Sequence, residues 1–187
     1  FCYYVWKPAN IPTTFGKEYS FLELLFQQEQ QKYPFIQSLS SVFCKEEEWG
    51  LLNRLDNVTT WLLYFAKSHE IRKHYKALQK EWKVYKYYLV EIYWDIRYRI
   101  KKYGKIIDFP ISHHKFCPEK MIVIDYQIKK SKADWKPHFV QTEIIETQRN
   151  ENKGTTILLV RIKKGIRHQI RSHFSAIGYP IVWDKCY

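Results

Sequence analysis

The chain is expected to fold as an α+β protein, and three observations carry that expectation. Its segments switch repeatedly between the period-two alternation of strands and the 3.6-residue spacing of helices. Two strand-like stretches, "VQTEIIETQ" and "TTILLVRIKK", flank the turn "NENKG" as the arms of an antiparallel hairpin would. Many strands accompany few helices, without the regular βαβα alternation that a parallel sheet requires.

In chain order, "FCYYVWKP" opens as a strand. Ser20 followed by Glu23 is a capping-box pattern, and it starts a helix "FLELLFQQEQQKY" with Phe21, Leu24 and Leu25 facing inward. "TTWLLYFAKS" is apolar on both faces and reads as a buried strand following a turn at Asp56. Ser68 caps a helix on which Ile71, Tyr75, Leu78 and Trp82 recur at helical spacing. "KYYLVEIYW" returns to period two, with Tyr88, Val90 and Ile92 on one face and Tyr87, Leu89, Glu91 and Tyr93 on the other. Pro110 and Pro118 punctuate a loop, and "KMIVIDYQI" resumes as a strand. Gly165 ends the second hairpin arm. "IRHQIRSHFSAIG" is the last helix, stopped by Gly178 with Pro180 beyond. No internal repeat and no low-complexity linker interrupts the pattern.

A length of 187 residues and a hydrophobic content of 45% suit one folded domain spanning 1–187. No apolar run is long enough to cross a membrane, and no signal-peptide pattern opens the chain. Both ends are abrupt, as trimmed ends would be, so an organellar destination stays open beside the expected cytoplasmic one. Cys2, Cys44, Cys117 and Cys186 are widely spaced and read as reduced thiols of an intracellular protein. His113, His114 and Cys117 in "SHHKFC" lack a second ligand pair, so a surface loop between strands is the better reading and no metal is expected.

The net charge of +12 calls for a polyanionic partner. Aromatic residues make up 18% of the chain, many interleaved with Lys and Arg between Ile71 and Lys105. Cations that grip phosphates beside rings that stack on bases suit single-stranded or looped RNA. A solvated basic helix followed by a Tyr-rich strand explains the same segment.

Charged residues seldom enter an apolar stretch unless they are paired or have a task. "NRLDNVTT" places Arg54 and Asp56 between two greasy runs. On the last helix Arg171 borders the expected buried stripe of Ile170, Phe174 and Ile177, one turn from Arg167, and it needs an anion. Asp56 is the best-placed carboxylate in sequence terms. Its plainer readings are an ordinary buried ion pair, or a turn closed with Thr59.

Four blocks, in order along the whole chain, resemble the RluA-type pseudouridine synthases. "YVWKPANIPTTFG" looks like the family's opening Lys-Pro motif, and "NRLDNVTTWLLYFAKS" is similar to H-R-L-D-x-x-T-S-G-L-L-x-x-A-K. "KVYKYYLVEIYW" resembles the K-x-Y-x-A-x-V-x-G strand. "KKGIRHQIRSHFSAIGYPIVWDKCY" resembles G-R-T-H-Q-I-R-V-H followed by L-G-x-P-I-x-G-D-x-x-Y. The resemblance implies a mixed, mainly antiparallel sheet flanked by helices around a central RNA-binding cleft. It implies Asp56 as the catalytic carboxylate, Tyr88 stacking on the target uracil, and Arg171 as the basic partner of Asp56. Arg54, Arg167, His168, Gln169 and Lys7 would bind RNA or support the site. The chain departs from the motifs at Asn53 (family His), at Trp61 and Trp94 (family Gly), and at Ile166 (family Arg).

The implied reaction breaks the uridine N1–C1′ bond, turns the uracil over and joins C5 to C1′. Nothing is added or lost, so no cofactor is expected. An ionised carboxylate can attack C1′ or take the 2′ proton, and the sequence leaves both routes open. The implied partner is a loop or bulge of ribosomal or transfer RNA, met by a monomer. The alternative is a catalytically inactive RNA-binding protein that retains the scaffold, which the departures at Asn53, Trp61 and Ile166 favour. A hydrolase reading lacks a second catalytic carboxylate or a nucleophile–His pair.

Overall fold

Antiparallel pairing dominates the architecture, as the α+β expectation requires: each strand pair among the described residues runs antiparallel. The computed structural model describes residues 1–14, 19–28, 33–124, 133 and 136–187. They divide into two compact units, Phe1–Glu81 and Trp82–Tyr187.

In the first unit, strand β1 (Cys2–Lys7) pairs with β2 (Trp61–Ala66), which sets Lys7 opposite Trp61. The capping box forms as expected. The Ser20 hydroxyl accepts from the Glu23 amide and the Glu23 carboxylate accepts from the Ser20 amide. Helix α1 (Phe21–Glu23) then widens into a π turn over Leu24–Gln28. The wider winding changes the phase of the apolar face. Leu22, Leu25 and Phe26 are buried, whereas Phe21 and Leu24, both expected inside, are half-buried, so the buried face is already one residue out of the expected phase before the π turn. The remainder of that expected helix includes positions 29–32, outside the described residues.

Helix α2 (Pro34–Val42) begins with Pro at its first turn, where the missing N–H has no intrahelical partner to lose. A 3-10 turn over Lys45–Gly50 follows. Gly50 has φ +79°, and a Cβ there would lie 2.6 Å from Phe43 Cε2, so only glycine fits. Helix α3 (His69–Lys80) is capped by the Ser68 hydroxyl, with Ile71, Tyr75 and Leu78 half-buried as a shallow stripe. Trp82 does not continue that stripe. The helix ends at Lys80, and Trp82 takes a left-handed backbone with φ 60° and an exposed side chain. Leu22, Leu39, Leu63 and Phe65 lie in this unit's core, beside a stacked Phe26–Trp49 pair with centroids 4.3 Å apart.

The second unit holds strand β3 (Lys86–Tyr93), helix α4 (Arg97–Tyr103), and strands β4 (Ile106–Ile107), β5 (Ile111–His113) and β6 (Met121–Val123). The hairpin β7 (Thr142–Asn150) and β8 (Thr155–Ile162) follows, and helix α5 (Gln169–Ala176) closes the series. Four strands pair in the order β3-β8-β7-β4, with a bulge between Ile144 and Glu146. β3 alternates as expected: Val90 and Ile92 are buried and Tyr88 is half-buried, while Tyr87, Leu89 and Tyr93 are exposed. "SHHKFC" leaves the end of β5 for a loop that returns through β6. The strand expected over "KMIVIDYQI" is seen at Met121–Val123, and its continuation past Ile124 lies outside the described residues.

The last helix starts at Gln169, later than expected, because His168 adopts a left-handed backbone with φ 54°. Arg167 therefore precedes the helix and is not one helical turn from Arg171. Its guanidinium donates instead to the Pro118 and Glu119 carbonyls. At the other end Gly178 has φ +82°, and Tyr179 N–H returns to the Phe174 carbonyl at 2.9 Å, which stops the helix as predicted.

Candidate active site

Asp56 stands on the loop leading into β2, and a dense set of hydrogen bonds holds that loop. Lys7 at the end of β1 is fully buried. Its Nζ donates to the carbonyls of Pro8 at 2.8 Å, Asn57 at 3.4 Å and Thr59 at 3.0 Å. An ammonium has three N–H groups, and each meets a carbonyl. Burial pushes Lys7 below its ordinary pKa, and the charge of Asp56 opposes that shift. Of the two duties expected of Lys7, RNA contact or support, this geometry serves support.

Further bonds fix the same loop. The Thr13 hydroxyl donates to the Leu55 carbonyl at 2.7 Å and accepts from the Leu55 amide at 3.1 Å. Asn10 N–H donates to the Asn57 carbonyl at 2.7 Å, and the Thr60 hydroxyl donates to the Lys7 carbonyl at 2.9 Å. Thr59 N–H donates to the Asp56 carbonyl at 3.0 Å, so the turn between those residues is formed by backbone. The Asp56 side chain is half-buried on this braced turn. Arg54 is exposed and ion-paired with Glu48 of the 3-10 turn, a contact of modest energetic weight in solvent.

Two departures from the family motifs acquire physical explanations. Asn53 bridges to β2: its Nδ2 donates to the Leu62 carbonyl at 3.1 Å and its Oδ1 accepts from the Tyr64 amide at 2.8 Å. A carboxamide thus anchors the start of the loop where the family has an imidazole. Trp94 has φ 64°, a backbone that a glycine adopts without strain, and its ring is exposed. Trp61 is exposed and meets Trp6 across the β1–β2 pair, ring centroids 5.6 Å apart. Ile166 packs half-buried against the cluster of Ile111, Met121, Val123 and Val140.

In the second unit Arg171 is gripped at both ends of its fork. Its Nε and Nη2 donate to the two Asp184 oxygens, each at 2.7 Å, a bidentate charge-assisted pair. The carboxylate that engages Arg171 within its own unit is therefore Asp184, to which the sequence reading gave no role. Burial alone would raise the Asp184 pKa. The Arg171 hydrogen bonds and the Cys186 N–H at 2.9 Å outweigh it and hold the carboxyl below its ordinary value. The Tyr187 ring lies 5.2 Å from the Arg171 guanidinium. The Tyr187 hydroxyl accepts from Met121 N–H at 2.7 Å, donates to the Met121 carbonyl at 3.1 Å, and stands 3.2 Å from His168 Nδ1. The chain reaches this position because Pro180–Val182 runs beside β3, with Tyr93 N–H donating to Pro180 O and Val182 N–H to Glu91 O.

Gln169 was expected to help shape the site and is instead a buried tie. It accepts from the Ile166 amide at 3.2 Å and donates to the Gln141 carbonyl at 2.9 Å and the Thr142 hydroxyl at 3.3 Å. Beside it His173, also missed, is fully buried between the Thr142 hydroxyl and the Phe109 carbonyl, each at 2.9 Å. A carbonyl can only accept, so Nε2 carries the proton and Nδ1 accepts from Thr142. Burial pushes the imidazole down to about 4, so it stays neutral. The signal in the sequence was three polar residues, Gln169, Ser172 and His173, recurring along one side of the helix, and all three are buried. Of the expected stripe Phe174 is buried, while Ile170 and Ile177 are half-buried. Tyr88 packs half-buried against the core of Val90, Ile92 and Phe174.

A family model described as RNA pseudouridylate synthase matches residues 2–176. An uncharacterized RNA pseudouridine synthase of Aquifex aeolicus is 30% identical over 152 residues, covering 81% of this chain and 43% of that protein. Ribosomal large subunit pseudouridine synthase D of Pseudomonas aeruginosa is 32% identical over 138 residues, covering 74% of this chain and 38% of that protein. The solved structure of human RNA pseudouridylate synthase domain containing 1 superposes with a TM-score of 0.68 at 20% identity, over 97% of this chain and 63% of that one. The chain belongs to the RNA pseudouridylate synthase family, and the RluA-type resemblance read from its motifs holds. It spans about two fifths of the length of these two curated relatives.

Proposed function

We propose that residues 1–187 form one catalytic domain that isomerises uridine to pseudouridine in RNA, with Asp56 as the reacting carboxylate. The observation that carries this reading is the brace around Asp56: a fully buried cation, Lys7, holds the carbonyls of the residues that follow it. A flexible surface aspartate needs no such support, whereas a carboxylate that must meet one ribose atom does. Asp56 attacks C1′ or removes the 2′ proton, and the uracil then turns over before C5 joins C1′. Tyr88 supplies a flat wall for the turning ring, since stacking fixes no hydrogen-bond register. Arg171, pre-oriented by Asp184 and beside the Tyr187 ring, is the basic residue of the catalytic set that the family motif implies. The net charge of +12 supports an RNA partner, and the target uridine is met in a loop or bulge, where leaving the stack costs least. Four free thiols suit a reducing, cytoplasmic setting, and the domain acts as a monomer.

The test is release of tritium from C5 of labelled uridine in RNA. Wild type is expected to release it, and Asp56→Asn to lose at least about a thousandfold in rate while binding the same RNA. Binding without release from wild type would favour the second reading, a silent RNA-binding scaffold. That reading draws on the motif departures. The structure weakens one of them, because Asn53 anchors the loop through two hydrogen bonds of its own.

A further inference from the structure

We propose that a ledge at the start of β3 binds a single RNA strand by stacking its bases on Trp82 and Tyr85 while Lys163 and Lys164 hold the phosphates. Trp82, Tyr85 and Tyr87 are 45%, 47% and 50% exposed, a cluster of large rings that a folded chain seldom leaves to water without use. Tyr85 immediately precedes β3 and Tyr87 is its second residue, and Arg161 of the neighbouring strand meets both, over the ring of one and in register with the other. Tyr88, the proposed wall for the reacting uracil, alternates onto the opposite face of β3, so the ledge is a separate surface.

The cations come from the far end of β8. Lys164 Nζ lies 5.5 Å from the Trp82 ring centroid, and Lys163 Nζ lies 5.4 Å from that of Tyr85. Arg161, paired in register with Tyr87, also approaches the Tyr85 ring at 5.0 Å. Its charge is answered by Glu143 at 2.9 and 2.6 Å, which leaves the two exposed lysines as the charge offered to a ligand. Each of the two rings therefore has a lysine of its own. A nucleic-acid strand repeats the same pair, a flat base and a phosphate, from one residue to the next. An acidic peptide would answer the lysines and leave the rings without partners. The charge complementarity and the exposed rings together favour RNA.

The inference rests on the reading that the chain acts on RNA only for the choice of polymer, because binding is measured without turnover. The probe is a short, fluorescently labelled oligouridylate with no secondary structure, compared with an abasic sugar–phosphate oligomer of equal length at the same salt. Wild type is expected to prefer the oligouridylate. Trp82→Ala and Tyr85→Ala should each weaken it about fivefold or more and leave the abasic oligomer unaffected, whereas Tyr85→Phe, which keeps the ring, should bind as wild type does. Lys163→Gln with Lys164→Gln should weaken both oligomers and reduce the logarithmic salt slope by about 1.4. Asp56→Asn should change none of these values, so loss of isomerisation and loss of the ledge are separable. Equal affinity for the two oligomers, or ring variants that bind like wild type, would overturn the proposal and leave a surface suited to an acidic protein.

Discussion

At Lys7 a cation sits fully buried with three backbone carbonyls around it, and two of those carbonyls belong to the loop that carries Asp56. Lys7→Met removes the donors and keeps the bulk, so the acceptors lose their partners. Unfolding in urea is expected to show a loss of about 3 kcal/mol, and a loss below 0.5 kcal/mol would deny the brace. His173 makes the pH counterpart. Its ordinary pKa is 6.5 and burial lowers it to about 4 in the folded chain. Between those values the unfolded chain binds more protons, so its contribution is complete above 6.5 and fades as pH falls toward 4. The full loss is on the order of 3 kcal/mol, and denaturant midpoints measured from pH 7 to pH 4.5 should show it, with His173→Gln giving a flatter profile. At this scale the sequence made Asp56 conspicuous, since a charge between apolar runs is visible in one dimension. That Asp184 grips Arg171, and that Thr142 and Phe109 enclose His173, was not legible, because these contacts form only through folding.

Turns and helix ends decide how the elements meet. β3 ends at Tyr93, and Trp94 follows in a left-handed conformation, with its N–H on the Gly154 carbonyl at 3.1 Å and its own carbonyl accepting from Thr156 at 2.6 Å. A bulky residue at positive φ is strained, and the exposed indole gains little packing in return. Trp94→Gly should therefore raise stability by about 1 kcal/mol, read as a higher denaturant midpoint with an unchanged slope; a lower midpoint would show that the ring packs after all. Period-two segments were the most legible elements. The faces of β3 and β8 follow directly from alternation, whereas in β7 alternation holds only up to the bulge after Ile144. Helix phase was less legible where winding is irregular. The first helix buries Leu22 and Phe26 in place of Phe21 and Leu24, one residue out of the expected phase, and the left-handed His168 delays α5 by enough to remove Arg167 from it.

Across the whole molecule, an excess of twelve positive charges governs which partners approach and how salt affects them. Affinity for single-stranded RNA should fall steeply between about 50 and about 200 mM salt, by about 0.7 in the logarithmic slope for each phosphate held, and an affinity indifferent to salt would contradict an RNA partner. Composition alone pointed to a polyanion. The boundary between Glu81 and Trp82 was not, because no Pro-, Gly- or Ser-rich linker marks it. The family match crosses that boundary. The most direct measurement is a pseudouridine map of cellular RNA from cells that carry wild type or Asp56→Asn in place of the native copy. At least one uridine should be modified with wild type and remain unmodified with Asp56→Asn; identical maps from the two would contradict Asp56 catalysis.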